Sequence, residues 1–372
     1  MKHRALVACA VAAALSFSVV ACGDDEPESN GGSSQGSGAQ ETKAKVGVIL
    51  PDTASSKRWE NNDRPLLKEA FDAAGVESDI QNAQGDKAKW STLADQMLNG
   101  GANVLLIVNL DSPSAAAVIA KAKQQGVPVI DYDRLTLGGG ADYYVSFDNV
   151  AVGTAIGDGL VKCMQDNGKT SGNVALLNGS PTDNNATLFK EGYQKAIEGA
   201  GYTVTEDQAV PDWDNTKAGT IFEQMFTKAN GDFVGVAAAN DGLGIAVSNV
   251  LKREGATEEI PTTGQDATVE GLQHVLLGSQ CMTVYKAIKK EADAASALAI
   301  ALAKGDTAAA DKLATSEATD TETNQKVKSV LLEPQAIFPE SVKDVVADGF
   351  VTAEEVCSTS ALQKACEENG VS

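Results

Sequence analysis

The sequence predicts two similar α/β lobes, each a parallel sheet flanked by helices. Three observations predict this fold class. With 372 residues the chain is too long for one small domain and comfortable for two. Its strand candidates are short and apolar throughout, which is how a strand covered on both faces reads. Strand and amphipathic helix alternate, and that rhythm starts afresh near residue 150. With 43% hydrophobic and 22% charged residues, most of the chain is expected to fold.

The elements follow in order. Lys2 and Arg4 precede an apolar run over residues 5–20, and small residues then lead to Cys22. A run of about 16 apolar residues is short for a membrane span and suits the core of a signal peptide. Small residues before a Cys resemble the lipobox of bacterial lipoproteins, which implies cleavage before Cys22 and a lipid on its sulfur. No later stretch offers about 18 uncharged apolar residues, so nothing else is expected to span a membrane. The segment after Cys22 is Gly/Ser-rich, acidic and without apolar periodicity, and reads as a flexible tether.

Strands are expected at 46–50, 104–108, 126–130 and 143–146, with helices at 64–74 and 114–125. The second round places helices at 150–167, 187–200, 217–229 and 242–254. Its strands fall at 173–177, 203–205, 233–237 and near 261–263. Residues 305–332 are polar and rich in Ala and Thr, and the pattern assigns them nothing definite. Four Cys remain besides Cys9 and Cys22: Cys163, Cys281, Cys357 and Cys366. An exported chain sits in an oxidising space, so disulfides are expected, and four Cys allow three connectivities. Cys357 with Cys366 would close a short C-terminal loop and leave Cys163 with Cys281.

Composition narrows the chemistry. A net charge of −21 repels phosphates, so nucleic acid is not an expected partner. There are two His, His3 in the removed segment and His274. One remaining His leaves little room for a His-based triad or proton relay and excludes multi-His metal sites. No glycine-rich phosphate loop occurs. No cofactor and no metal is therefore expected. His274 reads as a solvated helix residue, and Trp90 as packing on its own lobe.

In open α/β sheets, ligands bind beyond the carboxyl ends of the strands. The residues that follow the expected strands include Arg58 and Trp59, Asn109, Asp131, Asp133 and Arg134. The second round adds Asp183 and Asn185, Trp213, Asn240 and Asp241, Gln265 and Asp266, and finally Lys286. A sugar demands such a set. Each hydroxyl both donates and accepts, so carboxylates, Arg, Lys and Asn match it, with charge strengthening each bond. The C–H faces of a pyranose are apolar, and Trp59 and Trp213, on different lobes, can sandwich one ring. Single residues also have plain structural readings. Asp111 and Asp241 suit helix N-caps. Asp131 and Asp133 suggest a paired-carboxylate glycosidase, but Arg134 beside them argues for an ion pair that keeps carboxylates charged, which is wrong for a general acid.

Several pieces carry a family resemblance: Arg58-Trp59-Glu60 with Asp63-Arg64, Tyr132-Asp133-Arg134, residues 144–149 with Val152-Gly153, residues 179–186, Ala239-Asn240-Asp241, residues 264–267 and residues 282–286. Over residues 44 to about 350 the chain resembles the periplasmic sugar-binding proteins of the ribose and galactose type, and within them the D-xylose binders of sugar ABC importers. The resemblance implies a type I periplasmic binding protein with a three-strand hinge. The tether would end at residue 43. One lobe would comprise 44–148 plus 284–334 and the other 149–283 plus 335–372, with crossings near 147–150, 281–285 and 331–337. Arg58, Asp133, Arg134, Asn185, Asn240, Asp266 and Lys286 would hydrogen-bond the sugar, and Trp59 and Trp213 would stack on it. The implied function is not enzymatic. A lipid-anchored monomer at the extracytoplasmic face of the membrane would capture D-xylose or a related monosaccharide by hinge closure. It would deliver the sugar to ABC permease subunits served by a cytoplasmic ATPase. A sensor presenting the same closed form to a membrane receptor is the alternative. Pro51, Ala54, Ser55, the tether and the four Cys depart from the family pattern.

Overall fold

The computed structural model describes residues 43–257 and 259–372. The signal peptide, Cys22 and nearly all of the tether lie outside the described residues. Strands β1 (Lys45–Leu50), β2 (Glu77–Asn82), β3 (Val104–Ile107), β4 (Val129–Tyr132) and β5 (Tyr143–Phe147) form the first sheet in the order β2-β1-β3-β4-β5. All of these pairs are parallel. Strands β6 (Asn173–Asn178), β7 (Thr203–Ala209) and β8 (Gly235–Ala238) begin the second in the order β7-β6-β8. Single parallel bridges, Val236 to Thr262 and Thr263 to Met282, extend it toward β9 (Thr283–Tyr285). The chain then returns to the first sheet with β10 (Ser316–Asp320) and β11 (Gln325–Leu332), and goes back to the second with β12 (Gln335–Ile337). β11 lies parallel to β5, β10 antiparallel to β11, and β12 antiparallel to β9.

The polypeptide thus passes between lobes at 147–149, 285–288 and 332–335. The middle passage falls just beyond β9, because Thr283–Tyr285 pairs with β12 in the second lobe. In both sheets the first strand lies between the second and third, so strand order reverses beside β1 and beside β6. That reversal opens a crevice at the carboxyl end of each sheet.

Central strands read as expected because both faces are covered: all four residues of β3 are fully buried. The apolar pattern fails at the edges. β2 is an edge strand whose Glu77 and Gln81 are exposed, and its polar sequence hid it. β7, also an edge, carries its pattern clearly only at 203–205 and continues through polar residues to Ala209. The helix expected to start at Trp90 begins three residues earlier and spans Lys87–Asn99, burying Trp90, Ala94, Met97 and Leu98. The expected strand 126–130 begins at Val129, since Pro128 carries no N–H for the ladder. The expected strand 233–237 is shifted by a residue or two to 235–238. The strand near 261–263 exists only as two bridges. Residues 305–332 form the helix Thr307–Leu313 and the β10–β11 hairpin.

Helix starts follow local chemistry. Asp111, Asp148, Asp183, Asp214 and Thr268 accept backbone N–H bonds at helix N-termini. Helix Asn149–Asp166 packs on helix Asn184–Gly199 at a distance only glycine permits, because a Cβ on Gly153 would lie 2.1 Å from the carbonyl oxygen of Phe189. Disulfides join Cys163 to Cys281 and Cys357 to Cys366. The first ties helix Asn149–Asp166 to the segment leading into β9, and closing so long a loop restricts the unfolded chain strongly. Among the described residues no helix is long and apolar enough to cross a membrane.

Candidate functional site

The carboxyl ends of the two sheets face one another across a small cavity of about 30 Å³. Its wall includes Arg58, Trp59, Asp133, Arg134, Asn185, Trp213, Asn240, Asp266 and Lys286. All nine residues to which the resemblance gives a sugar contact are brought together there, while Asn109, Asp131 and Asp241, which also follow expected strands, do not line it. Ser55, Ser56, Asp183, Phe189 and Gln265 complete it. Of these, Asp183 and Gln265 followed expected strands. Phe189 lies one turn into a helix and gave no signal.

After β1 the chain turns through Asp52, whose carboxylate accepts from the N–H groups of Ala54 and Ser55 and from Ser55 Oγ. Ser55 Oγ accepts from Trp59 Nε1 at 3.3 Å, which orients the indole. A single π-helical turn, Trp59–Asp63, then leads into helix Arg64–Ala73. The wide turn brings Asp63, five residues on, beside Arg58: Nε donates to Oδ2 at 3.0 Å and Nη2 to Oδ1 at 2.8 Å. The guanidinium also lies 4.3 Å from the Trp59 ring centre.

Asp133 is the centre of the polar wall. It is buried in the left-handed region at φ 64°. Its Oδ2 accepts from Arg58 Nη1 at 3.0 Å and lies 3.6 Å from Lys286 Nζ. Asn185, from the second lobe, donates to its carbonyl oxygen at 2.8 Å and to Oδ1 at 3.2 Å. Asn149, at the first crossing, donates to Asn185 Oδ1 at 3.0 Å, so that crossing is hydrogen-bonded to the site. Burial alone would raise the Asp133 pKa, but Lys286, Arg58 and Arg134 outweigh it and hold the carboxyl below its ordinary range. Lys286 shows the converse: burial opposes its charge, and Asp133 and Asp266 hold its pKa above normal.

Arg134 pairs differently from expectation. Its Nε lies 2.9 Å from Asp183 Oδ2 across the cleft, and its Nη1 donates to Asn109 O. It holds neither Asp131 nor Asp133 as a direct ion-pair partner. Asp131 points away from the cavity, accepts from Thr136 N and Oγ1, and is pushed up to about 7 by burial. The expectation that Arg134 keeps both carboxylates ionised therefore fails at Asp131. Asn240, and not Asp241, caps helix Asp241–Glu254 by accepting from Leu243 N. Asp241 instead receives Thr268 N and the side chains of Thr268, Gln280 and Thr283, which fastens the 264–268 turn to β9. Asp111 caps its helix as expected. Trp90 is buried in its own lobe and donates to Val108 O. His274, expected to be solvated, is half-buried with Nδ1 against Ser279 Oγ.

Trp213 sits in a tight turn with Asp212 and Trp213 itself at positive φ. Its Nε1 donates to Asp183 Oδ2 at 3.1 Å, and its ring lies flat against Gly179. Asp266 and Ala267 are also left-handed. Such conformations cost of order 1–3 kcal/mol each, and their concentration around one cavity marks a site held by its surroundings. The arrangement offers interleaved donors and acceptors and two indoles. The described residues contain no cluster suited to a metal ion.

Several buried acids hold their protons unusually tightly. Burial raises Glu291 to about 8, Asp131 to about 7 and Asp241 to about 6. In the unfolded chain they titrate near 4. The folded state keeps protons that the unfolded state releases, so their stabilisation is complete below pH 4 and is lost as pH rises through 6 to 8. Asp133, with its lowered pKa, acts oppositely and only in acid. Thermal unfolding followed by circular dichroism should therefore show a higher midpoint at pH 5.5 than at pH 8.5. A difference of about 2 kcal/mol moves the midpoint of a 150–250-residue domain by roughly 4–8 °C. Asp131→Asn should narrow the gap, and equal midpoints at the two pH values would refute the assignment.

The sequence profile of a family described as "periplasmic binding protein domain" matches residues 46–307. The D-xylose-binding periplasmic protein of Haemophilus influenzae is 32% identical over 86% of this chain and 94% of its own. That of Escherichia coli K12 is 31% identical over the same shares. Among solved structures, an ABC transporter solute-binding protein from Clostridium phytofermentans with bound β-D-glucose superposes with a TM-score of 0.75 at 27% identity, covering 84% of this chain and 99% of that one. A carbohydrate transporter solute-binding protein from Chloroflexus aurantiacus in complex with D-glucose gives 0.71 at 26%, covering 83% and 97%.

Proposed function

The chain belongs to the periplasmic binding protein family, and on that premise we propose that it captures a monosaccharide, D-xylose first, and delivers it to an ABC permease. The members it matches are solute-binding proteins and not enzymes. The observation that carries the reading is the shared cavity. Arg58, Asp133, Arg134, Asn185, Asn240, Asp266 and Lys286 surround one small space with both donors and acceptors, and Trp59 and Trp213 reach it from different lobes. Hydroxyls replace those groups' contacts with one another, and the indoles cover the C–H faces. Because the wall comes from both lobes, a sugar touching all of it favours the closed arrangement by differential affinity, and closure occurs by rotation at the three crossings. The lipid on Cys22 and the tether hold the protein at the extracytoplasmic face, a placement that rests on the sequence before residue 43.

Glucose is the second reading, because two solved relatives hold it. It differs from xylose by one hydroxymethyl group, so local bulk decides between them. Titration with D-xylose, D-glucose, D-ribose, L-arabinose and D-galactose, followed by tryptophan fluorescence, separates the two. Saturation by xylose at micromolar levels, with glucose at least tenfold weaker, is the expected result. The reverse order would make glucose the ligand. Silence toward all five would remove the sugar assignment.

A further inference from the structure

The sugar reading leaves Glu291 unused, and no motif pointed to it. It is the fourth residue of helix Ile288–Ala303, one turn beyond the middle crossing. Its side chain is wholly buried. Oε2 accepts from Arg58 Nη2 at 2.6 Å, and Oε1 is buried with no hydrogen-bond partner.

Burying a carboxyl group with one oxygen unpartnered is unfavourable. A buried acid held against a buried arginine is seldom retained for stability, since apolar residues of similar volume serve as well or better. Charge balance does not call for Glu291 either. Asp63 already engages Arg58 through Nε and Nη2, and Asp133 engages Nη1. What Glu291 adds is geometry. A guanidinium has five N–H donors: one on Nε and two on each Nη. Asp63 takes Nε and one proton of Nη2, and Glu291 takes the other proton of Nη2. Asp133 takes one proton of Nη1. The single donor left over belongs to Nη1, the nitrogen that also meets Asp133 of the cavity wall.

We propose that Glu291 is a positioning residue of the cleft, fixing Arg58 from behind so that Nη1 alone is presented to the ligand. It does so from the helix that starts at the hinge, so the orientation of the fork depends on how that helix is seated after the crossing. The proposal rests on the sugar reading of the cleft, and the test separates the two.

The full chain and its Glu291→Met and Glu291→Gln variants are titrated with D-xylose and D-glucose by tryptophan fluorescence, and each is melted. Met keeps the volume but accepts no hydrogen bond. Gln keeps an acceptor oxygen on the same stem. The expected result is a Kd raised at least tenfold in Glu291→Met at a melting midpoint equal to or above that of the unmodified chain. Glu291→Gln should restore binding to within about threefold. Glu291→Met binding as tightly as the unmodified chain overturns the proposal, whatever its melting point. Should Glu291→Met fail to fold, Glu291→Gln decides: a Kd raised more than tenfold shows that a correctly shaped acceptor is not enough and overturns it, and binding within threefold upholds it. If the unmodified chain binds neither sugar, the cleft reading fails and this inference goes with it.

Discussion

Asp133→Asn is expected to raise the Kd for the sugar roughly 30- to 3,000-fold while leaving the chain folded. The carboxylate accepts from Arg58, faces Lys286 and is bonded by Asn185 of the opposite lobe. All of these groups are buried. Removing one member of a buried, hydrogen-bonded charge set costs about 2–5 kcal/mol, chiefly because its partners stay charged and unpaired. At about 1.4 kcal/mol per tenfold, that gives the range stated. Asn is the informative replacement. The backbone at this position is left-handed, at φ 64°, which Asn tolerates and Ala does not. The variant therefore isolates the charge from the turn. Titration by tryptophan fluorescence, with a circular dichroism melt as control, measures it. A folded variant binding within threefold of the unmodified chain would remove Asp133 from the site.

The second large effect is expected at a residue with no side chain. A Cβ on Gly179 would stand 2.0 Å from Cη2, 2.2 Å from Cζ2 and 2.5 Å from Cζ3 of Trp213. The clash involves a ring that cannot easily give way, because Nε1 is bonded to Asp183 and the turn at Asp212 and Trp213 is left-handed. Overpacking of this kind costs typically 1–3 kcal/mol of stability. The loss of affinity should exceed it. A ring pushed toward the cavity no longer presents a flat face, and Asp183, which also pairs with Arg134, is dragged with it. Gly179→Ala should thus weaken sugar binding more than tenfold and shift the emission of Trp213. Unchanged affinity together with an unchanged spectrum would show that the glycine merely relieves a loop. Trp213→Ala is the companion: it removes the ring without the clash, and Gly179→Ala in that background should then cost nothing further.

Much of the fold was legible. The buried strands of both sheets and most of the helices stood out because strands covered on both faces are apolar at every position. The edge strands β2 and β7 did not, since an exposed side permits Glu, Asp and Gln. The hairpin β10–β11 escaped for the same reason: it extends the sheet outward past β5, where polarity is tolerated. The site was legible as a set of residue types. Ligands bind where parallel strands end, and the chain places Asp, Asn, Arg, Lys and Trp at those ends.

By itself, then, the amino-acid sequence determined that there are two α/β lobes, that their strand ends carry sugar-compatible groups, and that one His leaves no room for a multi-His metal site. Only the tertiary structure decided which charge meets which. Arg134 turned from its neighbour Asp133 to Asp183. Asp133 turned to Arg58, 75 residues away. Glu291 reached Arg58 over a separation of 233. Asp241 proved to be a buried brace and Asn240 the cap. The physical reason is range. Periodicity and capping act over a few residues along the chain, where sequence spacing is distance. An ion pair in a cleft is chosen by burial and by separations of about 3 Å between segments that only the folded sheets bring together.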